Sequence, residues 1–139
     1  MTLPGTNLEP RDLEALVRCG ILPELARQAL LRRVTSTEGA ALVGRNGPGD
    51  YSGIAFCYVW PGEDHIRAHR LRRDHPDLEY EAQGKAKPRD KYLSAPGRGN
   101  LLYFTPGTVP EWLTDASLPV VITEGEKKAL ALWVLAWHG

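Results

Sequence analysis

The chain has 139 residues, with 17 Lys+Arg balancing 17 Asp+Glu, so its formal net charge is zero; 42% of it is hydrophobic and 24% charged. That is the composition of a folded globular chain rather than a disordered or fibrous one, and a chain of this length buries about 68% of its unfolded surface. Zero net charge removes any global argument for nucleic acid, membrane or acidic substrate, no apolar run is long enough for a membrane span, and Met1–Pro10 lacks the basic-then-apolar pattern of a secretory signal.

Helices are expected first. Leu13, Leu16 and Val17 fall at helical spacing, with Gly20 at the stop position. Pro23 suits the first turn of a second helix, whose apolar face is Leu25, Ala26, Ala29 and Leu30. Thr35-Ser36-Thr37-Glu38 reads as a capping box for a third, Glu38 to Val43. Gly44 to Gly49 then breaks the chain.

The middle reads as β structure. Tyr51 to Trp60 is apolar on both faces, as a central strand requires. Pro61 to Asp64 is a turn, and Ile66 to Arg72 returns antiparallel. Asp74 to Lys91 is polar and predicts a long loop, with short strands at Lys91–Leu93 and Asn100–Phe104. Leu118 to Thr123 is β-branched and apolar, the pattern of a buried parallel strand, and Glu126 to His138 predicts a strong helix. The fold class is therefore α/β in the mixed α+β sense. It divides into a helical leading segment (1–47), a β-rich basic segment (48–114) and an opening strand–helix unit (115–139), packed as one compact domain.

Two cysteines, Cys19 and Cys57, make no disulfide framework and no CxxC zinc pair, so both are read as free thiols of a cytoplasmic protein. His65 and His69 share i, i+4 spacing, but on a strand they stand ~13 Å apart, too far for one metal.

Charge is distributed unevenly. Residues 66–98 carry nine basic side chains against five acidic ones. Arg70, Arg72 and Arg73 cluster, Lys85, Lys87, Arg89 and Lys91 recur at every second position, and Arg98 follows; Tyr80, Tyr92 and Tyr103 interleave. Basic residues mixed with aromatics are what single-strand nucleic-acid binders use; the same pattern also describes a solvated charged loop.

Glu124 stands between the predicted strand and helix, at the carboxyl end where open α/β sheets bind ligands. A carboxylate there holds a divalent cation or acts as general acid/base. Equally, Thr123-Glu124-Gly125-Glu126 is a capping box in which Glu126 reaches back to the helix start. Lys127 and Lys128 oppose the helix dipole, which makes sense beside a phosphate or if both point to solvent. Ala129 to Trp137 leaves no polar face, so this helix needs cover on several sides. The cover is the N-terminal helices, the remainder of a larger protein, or a homo-oligomer partner. Trp133 and Trp137 are expected to form one apolar ridge on it.

Val121-Ile122-Thr123-Glu124-Gly125-Glu126-Lys127-Lys128-Ala129-Leu130-Ala131 resembles the first motif of Toprim domains. It is most similar to an uncharacterised branch in replication proteins of phages, plasmids and other mobile elements, related to primase-helicases. Cys19-Gly20-Ile21, Gly53-Ile54-Ala55-Phe56, Arg70-Leu71-Arg72-Arg73-Asp74, Lys91-Tyr92-Leu93 with Pro96-Gly97, Leu102-Tyr103-Phe104 and Pro106-Gly107 extend the likeness from about residue 8 to the end. The resemblance implies primase-like, metal-dependent phosphoryl transfer in DNA replication, with Glu124 as catalytic acid/base and Mg²⁺ ligand. It also implies an Asp-x-Asp pair on a later strand, which this sequence lacks, so Mg²⁺ is expected only if that pair is supplied. Arg70, Arg72, Arg73, Lys91, Arg98, Lys127 and Lys128 are the expected contacts to single-stranded nucleic acid. The alternatives are a non-catalytic nucleic-acid-binding module and a protein-interaction module.

Overall fold

The computed structural model describes residues 1–138. Its centre is a four-stranded antiparallel sheet in the order β1-β2-β3-β6, formed by β1 (Arg32–Val34), β2 (Gly53–Tyr58), β3 (Ala68–Arg73) and β6 (Tyr92–Ser94). All six residues of β2 are buried, in keeping with its apolar faces and its place between β1 and β3.

One face of the sheet carries Ile54, Phe56 and Tyr58 and packs on α1 (Pro10–Arg18), α2 (Pro23–Gln28) and α4 (Glu126–His138) through Leu16, Ile21, Leu25, Ala26 and Leu130. The other carries Ala55, Leu71 and Leu93 and closes with Val43 and Tyr51. Helix α3 (Ser36–Leu42) crosses this second face so closely that a Cβ on Gly39 would lie 1.9 Å from the Tyr51 carbonyl oxygen. The mixed α+β class is as expected, and so are the first three helices and the antiparallel return after β2. The α3 capping box forms: Thr35 accepts from the Glu38 N–H, and Glu38 accepts from the Thr35 N–H. At the end of α1, Gly20 takes a left-handed φ of +85°.

Several expectations need correction. The sequence pattern predicts no strand at β1, because Arg32-Arg33 reads as polar surface. Arg33 is buried instead, between Asp12 of α1 and Asp74 after β3, with Nε 3.1 Å from Asp12 and Nη2 3.2 Å from Asp74. Three charged groups from distant parts of the chain satisfy one another there. The polar stretch 74–91 is not all loop: β4 (Asp77–Tyr80) and β5 (Ala86–Arg89) make an exposed hairpin around Gly84. Residues 100–104 form no strand.

The expected strand 118–123 is also absent. Val120, Val121 and Ile122 are 80%, 74% and 87% exposed. A strand exists only when another edge takes up its N–H and C=O groups, and no described strand flanks this run. Helix α4 does form. Leu130 is buried, Trp133 and Val134 pack on the core, and Trp133 lies 6.3 Å from the Trp112 ring, while Leu132 and Leu135 remain exposed. The side chain of Trp137, half of the expected ridge, lies outside the described residues. Among the described residues no helix is long and apolar enough to cross a membrane.

Candidate nucleic-acid interface

Alternation along β3 sorts the three arginines. Arg70 and Arg72 share the face of Phe56, Ile54 and Tyr92, their register partners, beneath the start of α4. Arg73 points the other way. It is fully buried, donates from Nε to the Asp50 carbonyl at 2.9 Å, pairs with Asp77 at 3.2 Å and stacks 4.7 Å from the Tyr51 ring centre. The expected three-arginine surface is therefore corrected to two: the pleat commits Arg73 to the core.

Glu126 organises the site. Its carboxylate is 2% exposed, accepts a hydrogen bond from the Tyr58 hydroxyl and pairs with Arg70 Nη1 at 3.2 Å. It does not reach back to cap the helix, so the expected capping box at Thr123 is absent; the Thr123 hydroxyl lies 3.5 Å from the Gly125 carbonyl. Burial, then the neighbouring Glu126, pushes the Tyr58 hydroxyl up to about 12, so Tyr58 stays a donor at neutral pH.

Further cations lie on the same side of the sheet. Arg70 stacks on Tyr92 at 4.9 Å, and Arg98 lies over the Tyr58 ring at 4.8 Å. Lys127 is half-buried, and its amine is held below its ordinary value by burial and then by Arg72, with Lys91 adding repulsion. Arg72 Nε, Arg98 Nε and Arg98 Nη1 are shielded donors without a hydrogen-bond partner. Cations with unmet donors are groups that an oxyanion can pair with.

Sequence reasoning named five of these cations, Arg70, Arg72, Lys91, Arg98 and Lys127, but missed Glu126 and Tyr58 as parts of the site. Only the apolar context of Tyr58 on a central strand hinted that its hydroxyl needed a buried partner. Of the interleaved aromatics, Tyr92 and Tyr103 lie here, Tyr103 5.1 Å from Tyr58, whereas Tyr80 is exposed on the hairpin.

Glu124 is elsewhere. Its side chain is 92% exposed, and among the described residues its ion pair is with Lys128, one turn on, at 3.3 Å. Lys128 is thereby turned to solvent rather than to the cation cluster. Among the described residues no three His, Cys, Asp or Glu side chains converge as metal ligands. One exposed carboxylate beside an ammonium does not fit Mg²⁺, which needs several oxygens in octahedral array. No family model matches the chain, and no curated protein or solved structure matches it either.

Proposed function

We propose that this chain binds the phosphates of single-stranded nucleic acid through Arg70, Arg72, Lys91, Arg98 and Lys127. In this reading it is the nucleic-acid-binding part of a Toprim-like replication protein of a mobile element, acting in the cytoplasm, where Cys19 and Cys57 stay reduced. One observation carries the proposal: among the described residues, Arg70 pairs with the buried Glu126 carboxylate, Lys127 stands beside Arg72 and Lys91 with no carboxylate between them, and three guanidinium N–H donors of Arg72 and Arg98 have no hydrogen-bond partner. A phosphodiester supplies both the charge and the acceptors. The described residues bind rather than turn over. Glu124 enters Mg²⁺-dependent phosphoryl transfer only where further carboxylates, such as an Asp-x-Asp pair, are supplied.

Anisotropy titration of labelled single-stranded DNA over a salt series tests this. Three to four neutralised phosphates predict a log–log salt slope of roughly −2 to −3. The double variant Arg72→Ala/Lys127→Ala should make it shallower by about 1.4. Absence of binding at low salt, or an unchanged slope in the variant, overturns the proposal.

A second reading rests on a separate observation. Val120, Val121 and Ile122 are exposed, and so are Leu132 and Leu135 of α4, which with Thr123 and Ala131 line a shallow apolar depression. Such a surface suits cover by a neighbouring strand, from the rest of a larger replication protein or from a second copy. A concentration-dependent mass in sedimentation, lost in Val121→Lys, would identify the second copy.

A further inference from the structure

A cleft of about 220 Å³ opens where β2 leaves the sheet, lined by Leu30, Cys57, Trp60, Glu63, Tyr103 and Phe104 among others. Its aromatic walls are preset: Trp60 and Phe104 meet edge to face, ring centres 4.8 Å apart at 73°. The Arg67 guanidinium stacks on Trp60 at 4.6 Å and is held by both oxygens of Glu63, at 2.9 and 2.5 Å. That cation is thus already neutralised.

Leu30 adds a second observation. It terminates α2 at a left-handed φ of +58°, a position where glycine costs least. A branched side chain there costs about 1–2 kcal/mol. Leu30 is among the residues that line the cleft, so an apolar residue stands at the strained position.

The cleft adjoins the cation face. Tyr103 lines it and touches Tyr58, the ring on which Arg98 lies. One side chain separates the two sites.

We propose that this cleft takes one unpaired nucleobase of the strand whose phosphates lie on the cation face. The inference rests on the phosphate reading of that face and deepens it, because a base in the cleft makes the ligand single-stranded. The chemistry of the walls favours a base over other occupants. A flat π face stacks on one of the two rings and meets the other, turned by 73°, with its edge. The Glu63 carboxylate, its charge balanced by Arg67, offers no net attraction to a phosphate, and its remaining lone pairs can accept from an exocyclic amino group, as acidic side chains do from cytosine N4. Sugar and phosphate then remain outside, beside Tyr103 and Arg98.

The test compares oligo(dC) with an abasic strand of equal length, so that phosphate number is constant. The wild-type chain should bind oligo(dC) about tenfold tighter, the effect of roughly one stacked base. Trp60→Leu should erase that difference while leaving the abasic affinity and its salt slope unchanged. Phe104→Leu should do the same without disturbing the Arg67 stack, and serves if the first variant does not fold by circular dichroism. Equal wild-type affinity for the two strands overturns the base cleft and leaves the phosphate reading standing. A preference that survives in both variants also overturns it. Failure to bind either strand at low salt overturns both.

Discussion

Substituting Glu126 by Gln separates a structural role from a ligand role, because the two respond in opposite directions. The wild-type carboxylate is buried and serves two donors, the Tyr58 hydroxyl and the Arg70 guanidinium. Hydrogen bonds to charged groups contribute about 1.5–3 kcal/mol each. The glutamine amide oxygen still accepts from Tyr58, so the net loss is about 2 kcal/mol rather than the sum of both. At about 4 °C per kcal/mol for a chain of this size, Tm should fall by about 8 °C, read by circular dichroism. Single-strand binding should move the other way. Removing this negative charge frees Arg70, adds about one neutralised phosphate and steepens the salt slope by about 0.7. A variant with unchanged Tm would refute the energetics assigned to Glu126. A destabilised variant whose salt slope stays the same or becomes shallower would refute the assignment of this cluster as the strand-contacting surface.

Three further outcomes are expected. Arg33→Met leaves the buried Asp12 and the half-buried Asp74 without their cation and should cost about 3 kcal/mol in urea unfolding; a midpoint close to wild type would show that the two acids find other partners. Burial alone would raise the Asp12 carboxyl, but the Arg33 hydrogen bond, the Glu9 backbone N–H and nearby positive charge outweigh it, so its folded value lies below the ordinary 3.8. Its contribution is then full above the unfolded value and is lost as pH falls through the folded one; unfolding midpoints should drop between pH 4 and lower pH, at about these carboxylate values, and Asp12→Asn should flatten that drop. Glu124→Gln should leave the melting curve and single-strand affinity of this chain unchanged, since only the exposed pair with Lys128 is lost. In a longer chain carrying an Asp-x-Asp strand the same change should abolish Mg²⁺-dependent turnover, and unaltered turnover would leave Glu124 no catalytic part.

What the sequence determined by itself is what short range decides. The Thr35–Glu38 box, Gly20 after α1 and the doubly apolar run of β2 each depend on neighbours within a turn or a strand, and all three are found as expected. The tertiary structure alone decided the fate of charged and edge-seeking groups. Arg33 looks like surface until Asp12 and Asp74 arrive from 21 and 41 residues away. Glu126 carries a local signature for capping, yet Tyr58, 68 residues earlier, claims its carboxylate. Residues 118–123 have every local mark of a strand, but the described residues offer no edge to receive it. The physical reason is common to all three: a buried charge or an unpaired backbone edge is stable only with a specific partner, and that partner's identity is a property of the folded chain, not of the residues beside it.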